Sequence, residues 1–341
     1  MKISITLTVF LFFISNIITA QGADEIVKQS LYNPSDFKIL NNQNLIVSDN
    51  TTDYPIYLID IKADKILARI KRGNGPGELS AMYKNISLTS NNIYVWDYGR
   101  QILNYYDYDL KYKGSRSLND IGYIYNVKIE TDKVLVLDSS EEFIKIFEYD
   151  SDIILGPKLK SYSISDHKNF KQFEHSALRQ AFKIHEEEGT FYLANEFTSL
   201  VISLNYKGIK FTTLKPLNTV QENRQGVYVA TDLLYNKLCS LDIAKSPEYL
   251  IVLSKGEKAS MSDISEKYNN RIDEYLEDFI NTNQILLYDI EGNFLKTINL
   301  EKPVKKIEIY HNKLFYLRTL RGEPSIGYHD LSTLLGLSET G

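Results

Sequence analysis

The sequence predicts an all-β chain folded as a six-bladed β-propeller with four antiparallel strands in each blade. Three observations carry that expectation. An apolar, β-branched stretch ending in a polar residue recurs six times, at 44–49, 92–97, 133–138, 190–195, 249–254 and 313–318. Its end positions advance in steps of 48, 41, 57, 59 and 64 residues, which is the period of a propeller blade and not of a helical solenoid. A second β-rich stretch follows each one, starting near Ile56, Ile102, Phe143, Leu200, Gln284 and Ser325.

Within a unit, four strands separate at turn residues. In the second unit they are 84–89, 92–97, 102–108 and 112–118, with Ser90-Asn91 and Asp109-Leu110-Lys111 between them. The fifth unit reads as 238–244, 249–254, 284–289 and 294–299, and places the lone Cys239 on an inner strand as a small buried hydrophobe. The sixth unit stops after three strands, at Leu331. A closed ring needs a fourth, and the β-compatible segment 26–33 is expected to supply it, hiding the edges of the last blade.

The first twenty-two residues read as a signal peptide. A basic Lys2 precedes the apolar run 3–20, and small residues follow at Ala20-Gln21-Gly22. An uncleaved anchor helix is the alternative, and no Cys ends the run to carry a lipid. The mature chain 23–341 is then one propeller domain, secreted or periplasmic, monomeric and not inserted in a membrane. Removing Lys2 takes the formal charge from −5 to −6. Such a balance argues against nucleic acid as a partner, and one Cys excludes an internal disulfide framework. At 43% hydrophobic and 24% charged residues, the chain has the composition of a globular protein with a full core. Many of the 25 Tyr recur at equivalent strand positions, which suits packing between blades.

In a blade of strands a, b, c and d, turns a–b and c–d share one face; connections b–c and d–a share the other. The a–b turns 41–43, 90–91, 130–132 and 311–312 are short, as are the c–d turns at 62–64 and 151–152. The long connections 72–83, 162–180, 215–237 and 255–283 all belong to the other class. Long loops on a rigid scaffold are where binding usually resides. The insertion 255–283 carries Ile264, Tyr268, Ile272, Tyr275, Leu276, Phe279 and Ile280 at helical spacing. It reads either as a helical cap packed on blade five or as a partner-binding helix or lid over the channel.

The sharpest local motif is Arg72-Gly-Asn-Gly-Pro-Gly-Glu78-Leu79, between blades one and two. It is no phosphate loop, because no Lys-Ser/Thr follows and no helix starts there. Together with Ile93-Tyr-Val-Trp-Asp97 and Tyr105-Tyr-Asp107 it resembles an NHL-type repeat. More closely, it is similar to the TolB-like six-bladed propellers, secretory proteins abundant in Bacteroidetes, where an R-G-x-G-P-G-E motif follows the first blade. Tyr249-Leu-Ile-Val-Leu-Ser-Lys-Gly256 matches a second strand motif of that group, with Lys255 as an extra residue. Leu79 stands where Phe is usual. The resemblance implies the propeller more firmly than any activity.

Nothing in the chain has a catalytic pattern: neither H-E-x-x-H nor G-x-S-x-G occurs, and no His pair stands at i, i+4. The expected function is therefore binding of a protein, peptide or glycan on the long-loop face, with no catalysis and no cofactor. Candidate contacts at the channel mouth are Arg72, Asn74, Glu78, Asp97, Arg100, His175, Arg179, Asn195 and Glu196. Each has a structural counterpart. Glu78 can tie the glycine loop through backbone N–H groups, and the strand-end residues Asp49, Asp97, Asp138 and Asn195 can cap their own turns. The alternative function is a Ca²⁺-dependent hydrolase or lyase of the six-bladed esterase or lactonase type, its cation bound by those strand-end oxygens.

Overall fold

The computed structural model describes residues 17–20, 24–27, 31–50, 53–130, 132–151, 154–166, 181–187, 189–197, 200–205, 207–213, 240–255, 275, 279–320 and 323–336. Six sheets form the ring. Strands β1 (Ile17–Ala20) and β2 (Asp24–Val27) precede blade one, which is β3 (Pro34–Ile39), β4 (Asn44–Asp49), β5 (Ile56–Asp60) and β6 (Lys65–Ile70). Blade two is β7 (Lys84–Leu88), β8 (Ile93–Asp97), β9 (Ile102–Tyr106) and β10 (Tyr112–Ser117). Blade three is β11 (Ile124–Ile129), β12 (Lys133–Asp138), β13 (Ile144–Asp150) and β14 (Ile154–Tyr162). Blade four is β15 (Phe182–Glu187), β16 (Thr190–Asn195), β17 (Leu200–Leu204) and β18 (Ile209–Thr213). Blade five is β19 (Asp242–Lys245), β20 (Tyr249–Leu253), β21 (Thr282–Asp289) and β22 (Phe294–Val304). Blade six is β23 (Lys306–Tyr310), β24 (Lys313–Leu320) and β25 (Glu323–Asp330), followed by the short helix α1 (Leu331–Leu335).

Closure follows the expected route with shifted bounds. β2 pairs antiparallel with β25, Asp24 opposite Tyr328 and Val27 opposite Ile326, and so becomes the outer strand of blade six. The strand ends before the expected 26–33 segment does, because Tyr32 and Asn33 donate their backbone N–H groups to the Asp49 carboxylate, at 2.7 and 3.1 Å. That contact turns the chain inward to start blade one. The first strand of blade five is shorter than expected, starting at Asp242, and Cys239 lies outside the described residues. β1 falls inside the segment read as a leader; it runs parallel to β22 as a fifth strand on a blade already complete without it.

Core residues sit between neighbouring blades. Trp96, fully buried on β8, shares a cluster with Tyr125, Val127 and Val136 of blade three. Tyr94 of blade two and Tyr149 of blade three meet edge-on, ring centroids 6.1 Å apart, and their hydroxyls share a hydrogen bond of 2.5 Å. Tyr94, Tyr106, Tyr288 and Tyr316 are all buried, so these repeated tyrosines are packing residues. In the blade-five insertion, Tyr275 and Phe279 are helical, stack at 5.7 Å and join the largest apolar cluster, so these two residues pack as a cap does. The rest of the apolar stripe, at 264–272 and 276, lies outside the described residues.

Candidate functional site

The strand-end polar residues hold the scaffold together. Asp97 is fully buried; it accepts from the Ser80 backbone N–H at 2.8 Å, the Ser80 hydroxyl at 2.5 Å and the Arg100 Nε at 2.8 Å. It therefore latches the b–c turn of its own blade to the d–a loop that enters it. Asp138 accepts from the Ser140 N–H at 2.9 Å and pairs with Lys145, and Asn195 accepts from the Phe197 N–H at 3.1 Å. The turn-capping reading holds for Asp97, Asp138 and Asn195, whereas Asp49 holds the Tyr32 and Asn33 N–H groups of the segment that enters its blade. No converging ring of oxygens is left to these residues for a hard cation, which needs six to eight.

The glycine loop closes on itself. Glu78 Oε2 accepts from the Gly75 N–H at 2.8 Å, while the Glu78 N–H returns to the Gly75 carbonyl at 3.0 Å. The Gly75 hydrogen bond, with Lys71 adding a smaller contribution, outweighs desolvation and holds the Glu78 carboxyl below its ordinary range. A side chain at Gly73 would meet that carboxylate at 2.0 Å, and Gly77 has φ +75° with Tyr112 against its Cα. Arg72 donates to the Asn50 carbonyl at 2.7 Å, and Arg100 also donates to the Glu78 carbonyl. Asn74 is exposed at the tip of the loop. His175 and Arg179 lie outside the described residues.

The channel itself is lined by the first strand of each blade, and here sequence reasoning missed the main charges. Alternate residues of these strands face the axis: Asp36 and Lys38, Asn85, Lys128, Lys183 and His185, Asp242, and Lys306. Lys306 Nζ stands 3.1 Å from Asp242 Oδ1 and 3.2 Å from Asp36 Oδ1, bridging blades five, six and one. Lys38 Nζ pairs with Glu308 Oε2 at 2.6 Å across the closing seam. On the far side, Asn85 donates to Asn126, and Ser87 Oγ accepts the Ile129 N–H at 3.0 Å, joining blades two and three.

Protonation follows from these neighbours. Burial alone would raise the Asp36 carboxyl, but Lys306 and Lys38 overcome it and leave it below the usual carboxylate range. Burial alone would lower the Lys306 ammonium, yet Asp242 and Asp36 hold it above its ordinary value. Burial, then the positive charges of Lys38, Lys128, Lys245 and Lys306, push His185 well below its ordinary value, so it is neutral at pH 7. An axis already filled by ammonium groups does not fit a central Ca²⁺.

The void at this level measures about 30 Å³, enough for a water-sized guest. Above it, on the long-loop face, a cavity of about 390 Å³ opens. Its polar wall includes Asn33, Asn50, Lys183, Glu196, Lys305 and Lys306; its apolar wall is Phe197, Leu241 and Ile280. Asn33, Asn50, Glu196, Phe197, Leu241, Ile280 and Lys305 all stand on b–c or d–a connections. The arrangement is a cup with a charged floor, of a size proper to small-molecule and peptide side-chain sites, roughly 300–1,000 Å³. Of the candidate contacts named from sequence, Glu196 lines it, paired with Lys183.

Neither a family model nor a curated protein matches the sequence. Among solved structures the chain is similar to a protein named as exported from Bacteroides fragilis, at 14% identity and TM-score 0.55, covering 91% of this chain and 92% of that one. It is similar to a DUF4221 family member from Bacteroides vulgatus, at 9% identity and TM-score 0.56, covering 91% and 96%. A protein of unknown function from Bacteroides caccae follows at 12% identity and TM-score 0.50, covering 86% and 92%. At such identities the likeness is one of fold: a β-propeller. Among the described residues no helix is long and apolar enough to cross a membrane.

Proposed function

We infer that this chain is an exported propeller of the TolB-like kind that binds a ligand in the cup at the long-loop mouth of its channel. The observation that carries the reading is the pairing of one cavity of about 390 Å³ with a narrow, charged floor on the face where the b–c and d–a connections leave their strands. An apolar wall of Phe197, Leu241 and Ile280 opposite Lys305, Lys306 and the Lys183–Glu196 pair suits a ligand with an apolar body and polar ends. A peptide or glycan terminus has that character. The ammonium-filled axis and the engaged strand-end carboxylates weigh against the calcium-dependent hydrolase or lyase.

The test is retention from an envelope digest of peptides and glycans, read by native mass spectrometry. The mature chain is expected to retain a discrete species. The variant Asn50→Trp, which crowds the lip from an exposed position, is expected to lose it by about tenfold or more. Retention of nothing, or equal retention by the variant, contradicts the reading.

A further inference from the structure

The opposite end of the molecule holds a second cavity of about 390 Å³, at the seam where blade six meets blade one. It opens on the short-turn face: Asn41 and Asn42 come from the β3–β4 turn, Ile61 from the β5–β6 turn, and His311 and Asn312 from the β23–β24 turn. We propose that this cavity is a carbohydrate-binding site, separate from the mouth and independent of the reading given to it.

Aromatic faces and short polar groups meet here. Tyr310 and His311 pack edge-on with ring centroids 4.2 Å apart, and Phe315 and Tyr328 lie 5.5 Å apart. Lys313 Nζ stands 3.7 Å from the Tyr328 ring centroid, so that ammonium already spends its charge on an aromatic face. Asn42, Asn312 and Asp330 line the same space and are exposed. A pyranose ring has a C–H face that packs on aromatic rings and a rim of hydroxyls that both donate and accept. Asn amides match that rim because each offers a donor and an acceptor, and the Asp330 carboxylate accepts two more bonds.

Other ligand classes fit less well. An anion would meet the Asp330 carboxylate and only one ammonium, already seated on Tyr328. A purely apolar ligand would leave the amides and carboxylate unmet, at a cost in desolvation. A peptide adding itself as a strand would need a free strand edge, and the chain here is reversing in tight turns. His311 adds a further sign. It holds φ +52° in a two-residue turn where glycine would be relaxed, and there it presents an imidazole to the cavity.

The probes are maltotriose, cellotriose, xylotriose and chitotriose, titrated by calorimetry against the mature chain. At least one is expected to bind saturably. His311→Gly removes the imidazole and relieves the turn, so it should melt no lower than the parent while weakening that saccharide by about tenfold. Asn42→Ala should weaken it in the same direction, and Asn50→Trp at the mouth should leave it unchanged. Failure of all four saccharides to saturate overturns the proposal. So does binding that survives His311→Gly and Asn42→Ala, or that is lost with Asn50→Trp.

Discussion

Lys306 Nζ lies 3.1 Å from Asp242 Oδ1, joining the inner strands of blades six and five, and the same ammonium reaches Asp36 in blade one. One cation thus bridges two carboxylates facing a narrow channel. Lys306→Met removes the ion pair from both, leaving Asp36 with the charge of Lys38 and Asp242 with the Ile307 N–H. Equilibrium unfolding in urea should show a loss of about 3–5 kcal/mol, the usual cost of breaking a buried pair. Adding Asp36→Asn to that variant should restore part of the loss. Equal stability of the single variant and the parent would mean that the bridge does not hold the seam.

His185 ties stability to pH. Its folded value is depressed, so its contribution is complete above the unfolded value of about 6.5 and falls as pH drops toward the folded one. Below about pH 6.5 the unfolded chain takes up a proton that the folded chain refuses, giving at most ~1.4 kcal/mol per pH unit from this group. The parent should lose stability more steeply than His185→Gln as pH falls from 7 to 5. A parallel pair of pH profiles would contradict the account.

Gly77 sits at φ +75°, with the Tyr112 side chain 2.8 Å from where a Cβ would be. Gly77→Ala should lower stability by about 1–2 kcal/mol from the backbone alone, with the contact adding to it. Gly208, which has open space at its Cα, should accept the same change with little effect. Thermal melts of the two variants make the comparison.

Ring closure depends on one short strand just after the segment read from sequence as a leader. Cleavage after Gly22 would remove β1 but keep β2, whose Val27 is fully buried against blade six. A chain beginning at residue 23 should unfold cooperatively. A chain beginning at residue 31 should lose cooperativity and tend to associate through the bared edge of β25. Sequencing the N-terminus of the protein recovered from its native host, together with melts of both truncations, tests the point.

The fold was largely legible because a propeller writes its period into the sequence. The b strands, such as Ile93–Asp97, are buried on both sides and stand out as apolar runs closed by a capping Asp. The channel was not legible in the same way. On the inner strands, Asp36-Phe37-Lys38 and Lys183-Ile184-His185 alternate like any half-exposed strand, so the polar face reads as solvent when it is the axis. The signal was present, since a charge repeats at the first strand of blades one, three, four, five and six. It becomes visible only once strand order says which face points inward. Arg72 and Glu78 mislead for the opposite reason: charged residues beside glycines look like ligand contacts, yet their bonds go to Asn50 and Gly75.

Hydrogen exchange on the chain from residue 23 onward, with and without the species retained from the envelope digest, tests the central claim most directly. Added protection confined to the mouth, at residues 183–197, 240–244 and 280–281, is the expected result. Protection confined to the short-turn face, or none at all, would contradict a binding cup at the long-loop mouth.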